Sequence, residues 1–398
     1  MRIGIEAFKI FRKTKHGIDI VALEQIKRIQ YLDRENEYFI FCFNDTDSYI
    51  LENTKNVQII RLPRIPSPIA EQFLLPFLAL KYKLDILHST GNTAPLFLHC
   101  KRLITLHDII YLRKDILLKG GSIYQKIGNA YRRFIVPFVL PKADAIFTVS
   151  ETEKLEIISS IPQLEDKISV IYNACSENFT IKPEGSSLAS SLKYKLPSTP
   201  YFLLLGNTDP KKNTKNALIA FHILLKKGLL NRKIVLTDIK ESTVKKILRN
   251  CQLDGLEEHI ILTNYIQHHD MPDLYNKAFA FLYPSIRESF GLPIVEAMSC
   301  GVPVITSNCS CMPEITSDAA LLVDPFYPHS IAKGLEQIET NHSLRELLIQ
   351  KGLTRSKDFK WSTSTKKMIQ LYHQIFQTDL NLESETKETN STKSASAA

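Results

Sequence analysis

The chain has 398 residues, of which 44% are hydrophobic and 23% are charged, a composition typical of folded globular proteins and unlike that of disordered chains. This length is sufficient for two domains of ordinary size. No apolar run reaches the ~18–20 residues that cross a bilayer, and the first residues are expected to form a strand, not a signal peptide.

The cysteines and the net charge indicate the cellular compartment and the kinds of partner that the protein could bind. Seven cysteines without metal-ligand spacing favour a reducing cytosol. Cys309 and Cys311 could share a metal with a third ligand, although packing of small residues in a loop explains them as well. The net charge is +8, and basic residues concentrate between 101 and 150, interleaved with apolar groups. This basic face either contacts anionic lipid headgroups or is simply solvated, and no motif supports nucleic-acid binding.

Short apolar strands alternate with helical stretches along most of the chain, which predicts parallel sheets covered by helices. In the first half the predicted strands are Arg2–Glu6, Tyr38–Asn44, Val57–Arg61, Ile86–Ser89, Leu103–Leu106, Ala145–Val149 and Ile168–Ile171. In the second half they are Tyr201–Leu205, Lys233–Thr237, Ile260–Leu262, Ala280–Tyr283, Val302–Thr306 and Ala320–Val323. Residues 179–199 are polar and predict a linker, so the predicted domains are 1–178 and 200–360.

The C-terminal part of the chain divides into two segments. An amphipathic helix is predicted at about 361–378, where apolar side chains recur at helical spacing. Residues 380–398 are rich in Ser, Thr, Glu and Lys, and they predict a disordered tail because they offer little to bury.

Three short patterns in the first half have competing interpretations. His107 and Asp108 follow an apolar strand, where a histidine is either a satisfied structural residue or part of a site at the sheet edge. Asp45-Thr46-Asp47 spells a metal-binding pattern, but its polar loop favours a turn. Ser150 is expected to be a helix N-cap.

A glycine turn after the strand Tyr201–Leu205 marks the second candidate site. Gly206 and Asn207 lie where open α/β sheets place ligands, at the carboxyl end of a parallel strand. Lys211 and Lys212 follow, and a lysine there supplies a positive charge for a diphosphate. Adjacent loop lysines are also commonly only solvated.

The most informative stretch runs from Pro284 to Glu314, with Glu288 and Glu296 on either side of a tight turn. The loop Ser289, Phe290, Gly291 and Leu292 precedes a helix predicted at about Pro293–Cys300, which Gly301 ends. The free N–H groups at the start of that helix suit a phosphate, and both carboxylates are expected to face one small space. Glu296 is placed in the first turn, where a glutamate is also common because it complements the helix dipole.

This string resembles the Glu-x7-Glu signature of retaining nucleotide-sugar glycosyltransferases of family 4, also called group 1. Those enzymes have the GT-B fold, an α/β architecture of two facing Rossmann-like domains with the active site in the interdomain cleft. The resemblance implies that Glu288 contacts the donor sugar and that Glu296 holds the ribose hydroxyls. It further implies that the predicted helix at 361–378 crosses back to pack on the N-terminal domain.

The resemblance extends to the other candidate residues, with departures. Lys212 matches the family's phosphate-binding lysine, whereas Asn207 replaces its arginine, and Lys211 is the candidate substitute. Gly17 is the one glycine left of the family's usual Gly-Gly loop. His107 matches a histidine that lies near the donor sugar and the acceptor.

Within the family, His107-Asp108 and Pro210–Asn213 are most similar to bacterial mannosyltransferases of lipopolysaccharide O-antigen synthesis. This similarity implies a retaining, metal-independent transfer of a hexose, with mannose from GDP-mannose favoured, to a glycan or lipid-linked acceptor. It implies no cofactor, no nucleic-acid partner and a cytoplasmic location, with peripheral contact at the inner face of the cytoplasmic membrane. The alternatives are a UDP-sugar donor, a non-catalytic nucleotide-sugar-binding homologue and an epimerase of related fold.

Overall fold

In the part of the chain that the structure describes, thirteen strands form two wholly parallel sheets. The structure is a computed structural model, and it describes residues 1–13, 15, 17–112, 123–183 and 188–377. The chain forms two units: the first comprises Met1–Tyr172 with the segment that begins at Trp361, and the second comprises Asn173–Lys360. The predicted tail at 380–398 lies outside the described residues.

The first unit contains a seven-stranded sheet in the order β3-β2-β1-β4-β5-β6-β7. Its strands are β1 (Arg2–Glu6), β2 (Glu37–Phe43), β3 (Val57–Leu62), β4 (Ile86–Ser89), β5 (Lys101–Thr105), β6 (Ala145–Thr148) and β7 (Ile168–Val170). Most of these strands are buried on both faces, which explains their nearly continuous apolar sequences. The strand order reverses between β1 and β4, so the connections after these two strands diverge there.

Helices cover the first sheet. They are α1 (Gly17–Leu32), α2 (Ser67–Ile69), α3 (Leu75–Lys81), α4 (Ile123–Val139) and α5 (Glu151–Ser160). A π-helical segment (Ala70–Leu74) joins α2 to α3. Ser150 is the N-cap of α5, as predicted, and its Oγ accepts from the Glu153 N–H at 3.1 Å.

The helix at 361–377 also belongs to the first unit. Its side chains Met368 and Tyr372 are buried in one core cluster with residues of β1, β2 and β6. The Tyr372 hydroxyl lies 2.7 Å from Nδ1 of His88, whose Nε2 lies 2.7 Å from Thr105 Oγ1. Burial, reinforced by His107, lowers the pKa of His88 to about 3, so a neutral imidazole joins this helix to the sheet.

The second unit contains a six-stranded sheet in the order β10-β9-β8-β11-β12-β13, which reverses between β8 and β11. Its strands are β8 (Tyr201–Leu205), β9 (Ile234–Thr237), β10 (Ile260–Thr263), β11 (Ala278–Tyr283), β12 (Val304–Ser307) and β13 (Ala320–Val323). Its helices are α6 (Leu188–Lys193), α7 (Thr214–Lys226), α8 (Glu241–Asn250), α9 (Met271–Lys277), α10 (Leu292–Ser299), α11 (Met312–Thr316), α12 (Pro328–Thr340) and α13 (His342–Arg355).

The described part of segment 179–199, predicted as a linker, lies within the second unit. Its polar side chains hydrogen-bond around α9: Lys182 and Ser190 both donate to Asp273, and Lys193 pairs with Asp270 at 2.7 Å. The unit boundary therefore falls earlier, between Tyr172 and Asn173. The described residues include no helix that is long and apolar enough to cross a membrane.

Candidate functional site

Lys212 and Glu288 meet at the point where the strand order of the second sheet reverses. Lys212 lies in the turn after β8 and Glu288 in the loop after β11, the two strands between which ligands bind in open parallel sheets. Lys212 Nζ lies 2.7 Å from Glu288 Oε1. Their side chains are only 23% and 12% exposed, so water screens this ion pair weakly.

Tyr283, the last residue of β11, completes this cluster. Its hydroxyl accepts a hydrogen bond from Lys212 Nζ at 2.9 Å and bonds to Glu288 as well. Burial and then the Glu288 charge raise the pKa of Tyr283 well above its usual value, so the hydroxyl keeps its proton. The three side chains thus place one positive and one negative group side by side.

The loop after β8 holds Lys212 through backbone geometry. Residues Pro210–Lys212 form a 3₁₀ turn, and Asp209 caps it by accepting from the Lys211 N–H at 3.1 Å. Asn213 follows in the left-handed conformation, with φ +60°, which asparagine tolerates better than most residues. Its buried amide donates to the carbonyls of Pro284 at 3.0 Å and Pro325 at 2.7 Å, so it ties three loops together.

The structure gives Gly206, Asn207 and Lys211 local contacts. A Cβ atom on Gly206 would lie 2.6 Å from the Thr237 carbonyl oxygen, so this glycine is required for packing against β9. The Asn207 amide oxygen accepts from the Asp209 N–H at 2.8 Å and shapes the loop. Lys211 pairs with Asp209 at 3.8 Å at the surface, whereas Lys212 contacts Glu288.

Helix α10 begins one residue earlier than predicted. Gly291 is its N-cap with φ +83°, so Leu292 and Pro293 occupy the first two positions, and Gly301 with φ +69° follows its end. The prediction that Glu296 lies in the first turn is wrong, because it is the fifth residue of the helix. Before the helix, Phe290 is buried, and its ring packs edge-on against Phe359 at 5.6 Å.

Glu288 and Glu296 contact different partners. The carboxylate of Glu296 lies 3.2 Å from His268 Nε2 and accepts from the Tyr275 hydroxyl at 3.2 Å. Burial, followed by Glu296, raises the pKa of Tyr275 well above its usual value, so this tyrosine remains a donor. Ser310 holds the Glu288 backbone, since its Oγ accepts from the Glu288 N–H at 3.1 Å and donates to its carbonyl at 2.7 Å. Sequence reasoning missed His268, Tyr275, Tyr283 and Ser310, which the fold brings to the two acids.

The first sheet has a second group of polar residues at its own reversal point. Glu6 ends β1, and its carboxylate accepts from the N–H groups of Phe8 at 3.1 Å and Thr90 at 3.3 Å. Burial raises the pKa of Glu6 to about 7, despite those two donors. Glu6 was not among the sequence candidates, although its place at the end of the first strand of a parallel sheet was a usable signal.

His107 lies beside this group as a buried residue. The backbone N–H of His107 donates to Asn92 Oδ1 at 2.6 Å, and the ring nitrogen Nε2 lies 3.1 Å from the Thr90 carbonyl oxygen. A carbonyl can only accept, so Nε2 carries the proton. Burial lowers the pKa of His107, which keeps the ring neutral.

The remaining sequence candidates are Gly17, the Asp45-Thr46-Asp47 pattern and the cysteines Cys309 and Cys311. Gly17 is the first residue of α1, and a Cβ there would meet nothing within 4 Å. Asp45 and Asp47 lie in a loop with a turn, as predicted, and pair with Arg64 at 3.9 Å and Lys15 at 2.5 Å. Cys309 donates to the Ile286 carbonyl at 3.3 Å, and Cys311 is buried, so both pack within the loop.

Two family models match the chain and together span most of it. Residues 17–178 match Glycosyltransferase Family 4, and residues 192–355 match Glycosyl transferases group 1. The chain belongs to the family 4 glycosyltransferases. The two sheets and the two models thus confirm the family that the Glu-x7-Glu string indicated.

Curated relatives of this glycosyltransferase-family chain include O-antigen mannosyltransferases. It is 33% identical over 233 residues to O-antigen chain mannosyltransferase B of Escherichia coli, covering 58% of this chain and 61% of that protein. It is 29% identical over 252 residues to O-antigen chain mannosyltransferase RfbU of Salmonella typhimurium, covering 63% and 64%. The chain thus spans less than two thirds of either relative.

Solved structures share the whole fold of this family member at low identity. Sucrose-phosphate synthase from Thermosynechococcus elongatus superposes with a TM-score of 0.70 at 18% identity, covering 95% of this chain and 99% of that one. Anabaena HepE, solved in complex with UDP and glucose, gives 0.69 at 16% identity, with 94% and 100% covered. These likenesses confirm the predicted GT-B fold of two Rossmann-like domains.

Proposed function

We propose that this protein transfers a hexose from a nucleotide-diphosphate sugar to a glycan or lipid-linked saccharide, with retention of configuration and without a metal ion. The reaction would serve the synthesis of a cell-surface polysaccharide. The observation that carries the proposal is the Lys212–Glu288 pair at the reversal point of the second sheet, 2.7 Å apart. The names of the relatives, which are O-antigen mannosyltransferases, supply the polysaccharide context.

The charges around Lys212 suit the departure of a nucleoside diphosphate. As the bond between the anomeric carbon and the phosphate breaks, negative charge grows on the diphosphate oxygens. Lys212 and the N–H groups at the start of α10 would stabilise that charge, which is electrostatic catalysis. Glu288 would accept hydrogen bonds from the sugar hydroxyls. Donor binding would therefore exchange the Lys212–Glu288 contact for one contact to phosphate and one to sugar.

The acceptor hydroxyl would attack from the face that the diphosphate leaves. Attack from that face keeps the configuration of the anomeric carbon without a protein nucleophile, and a phosphate oxygen of the leaving diphosphate would take the hydroxyl proton. We assign His107 as a neutral hydrogen-bonding residue for sugar hydroxyls. Its buried ring would supply polarity without adding a charge.

We favour GDP-mannose as the donor, because the relatives are named mannosyltransferases and because His107-Asp108 and Pro210–Asn213 resemble that group. A UDP-sugar is the second candidate, since HepE was solved in complex with UDP and glucose. We place the reaction in the cytoplasm, at the inner face of the cytoplasmic membrane, where lipid-linked acceptors are accessible.

The test begins with purified protein and a panel of GDP- and UDP-sugars, with and without chelator. A catalyst should slowly hydrolyse one donor even without acceptor, whereas a binding homologue would retain the intact donor and an epimerase would convert its sugar. Glu296→Ala should weaken the affinity for free nucleoside diphosphate by about tenfold, because a hydrogen-bonded contact to ribose is lost. Glu288→Ala should keep that affinity and reduce turnover by roughly a hundredfold.

Calorimetry with GDP and with UDP separates these two glutamates. Unchanged nucleotide affinity in Glu296→Ala would contradict the assignment of Glu296 to ribose. Wild-type turnover in Glu288→Ala would contradict the sugar-holding assignment. Absence of donor hydrolysis across the whole panel would favour the binding homologue.

A further inference from the structure

The helical segment 67–81 of the first unit exposes an unusual number of large apolar side chains. Ile69, Phe73, Phe77 and Leu80 are 50%, 74%, 60% and 56% exposed. Their spacing of four, four and three residues places them on one side of the helix. The opposite side, with Leu75 and Leu78, is buried in the core. A surface helix ordinarily carries polar residues on its outer side. This segment instead carries large apolar side chains on both its buried and its exposed sides.

Helix α4 carries a second exposed stripe. Ile127, Phe134 and Phe138 are 63%, 65% and 54% exposed, and the two phenylalanine rings contact each other with centroids 5.5 Å apart. On the inner side, Val136 and Val139 are buried beside the sheet. Like segment 67–81, α4 is therefore apolar toward solvent as well as toward the core.

Tyr131 joins the two stripes into one surface. It lies between Ile127 and Phe134 at the same helical spacing, and its hydroxyl donates to Glu71 at 2.7 Å and accepts from Gln72 at 2.7 Å. Gln72 precedes Phe73 and also accepts from the Leu96 N–H at 2.9 Å, next to Phe97, which is 76% exposed. We call this surface the aromatic face; its members are Ile69, Phe73, Phe77, Leu80, Phe97, Ile127, Phe134 and Phe138.

The two segments that carry most of the aromatic face are rich in basic residues, although Asp45, outside them, pairs with Arg64 at 3.9 Å. Segments 64–83 and 123–142 contain seven basic residues, namely Arg64, Lys81, Lys83, Lys126, Arg132, Arg133 and Lys142. Their one acidic residue is Glu71, which is buried and whose pKa is raised by that burial. Lys142 lies with its Nζ 5.6 Å from the Phe97 ring, so a cation borders the apolar surface directly.

We propose that the aromatic face inserts into the headgroup region of an anionic bilayer. Contiguous exposed apolar patches mark interaction surfaces, and phenylalanine rings bordered by lysine and arginine suit an interface that is apolar inside and negatively charged outside. This inference extends the membrane location given under the proposed function. It depends on no residue of the donor site.

Sedimentation with lipid vesicles tests the inference on the full chain. Wild-type protein should bind vesicles of equal parts phosphatidylcholine and phosphatidylglycerol more strongly than vesicles of phosphatidylcholine alone. High salt should weaken that binding, because screening removes the attraction of the basic residues. The variants Phe73→Ser/Phe77→Ser and Phe134→Ser/Phe138→Ser should each lose roughly tenfold in binding. The control Leu155→Ser/Leu347→Ser removes side chains of similar exposure, 66% and 50%, and should bind like wild type.

A fluorescent variant gives an independent measurement. The chain has one tryptophan, Trp361, which is buried at 2% exposure, so Phe77→Trp adds a reporter to the aromatic face. Its emission should shift to shorter wavelength with anionic vesicles and not with neutral ones.

The inference would be overturned if wild type failed to bind anionic vesicles, or if the phenylalanine variants bound as well as the leucine control. A vesicle-free dimer that dissociates in the phenylalanine variants, with no lipid binding by wild type, would show that the face contacts a second protein copy. Donor hydrolysis without vesicles separates the two proposals. If the protein hydrolyses donor but does not bind vesicles, the membrane inference is wrong and the proposed function stands.

Discussion

Replacing Lys212 with alanine removes the cation of the Lys212–Glu288 pair and leaves the carboxylate with the Tyr283 hydroxyl. Loss of one partner from a fully buried ion pair costs about 3–5 kcal/mol of stability. The two side chains here are 23% and 12% exposed, so water reaches the stranded charge in part. We therefore expect the free energy of unfolding to fall by about 1–3 kcal/mol, which is closer to the cost of one unsatisfied buried group. Urea denaturation measures this change.

The same substitution should affect turnover more than stability. Removing one group that stabilises developing negative charge typically costs about 100–1,000-fold in turnover. The matched control is Lys211→Ala, one residue away, where the lysine pairs with Asp209 at 3.8 Å at the surface. Lys211 pairs with Asp209 and Lys212 pairs with Glu288, so the control should lose less turnover than Lys212→Ala. Donor hydrolysis and transfer assays compare the two variants directly.

Equal turnover in Lys212→Ala and Lys211→Ala would refute the assignment of the diphosphate charge to Lys212. A double variant, Lys212→Ala/Glu288→Gln, then tests the ion pair itself. If the stranded carboxylate causes the loss of stability, the double variant should be more stable than the sum of the single effects predicts.

Two further predictions concern stability. Glu6 has its pKa raised from 4.5 to about 7 by burial, so the folded state binds the proton more tightly than the unfolded state. The stability that protonated Glu6 contributes is present below about pH 4.5 and is lost as the pH rises through about 7, by up to roughly 3 kcal/mol. In Glu6→Gln the free energy of unfolding should no longer fall over this pH range. If urea denaturation gives wild type and Glu6→Gln the same dependence on pH, the assignment of the fall to Glu6 is wrong. Gly206→Ala places a methyl group 2.6 Å from the Thr237 carbonyl and should lower the free energy of unfolding by about 1–3 kcal/mol, whereas Gly17→Ala has open space and should leave Tm unchanged. Equal Tm values for Gly206→Ala and Gly17→Ala would show that β9 shifts to accommodate the methyl group without loss of stability.

Strand positions were predictable because this fold buries most of its strands on both faces. Each of the thirteen predicted strands overlaps an observed one, and Arg2–Glu6 and Tyr201–Leu205 coincide with β1 and β8. A parallel strand with both faces covered reads as an apolar run between polar turns. The linker was predicted because a polar segment offers little to bury. The polar residues near 190 instead hydrogen-bond to α9, so they belong to the second unit.

The candidate site was predictable only in part. The sequence indicated Lys212 and Glu288, and their contact depends on the strand order that brings β8 beside β11. Tyr283 ends an apolar strand and Tyr275 lies in a short helix, and neither sequence context shows that the tyrosine hydroxyl has a hydrogen-bond partner. The position of Glu296 was misjudged because Gly291, in the left-handed conformation, starts the helix one residue early.

The aromatic face was not predicted from the sequence. Basic residues near 132 predicted a charged surface, but Phe73 and Phe77 lie in an apolar stretch that resembles ordinary core. Only their exposure, alongside a buried opposite side, distinguishes them.

The helix at 361–377 has a consequence for biosynthesis. Tyr372 and Met368 fill a core built from β1, β2 and β6, yet the ribosome delivers them after the entire second unit. At about 5–20 residues per second, the nascent first sheet waits on the order of ten seconds or longer with part of its apolar surface open to chaperones. The second unit has its own core and can fold during that interval, so the half of the polypeptide made first is the half completed last.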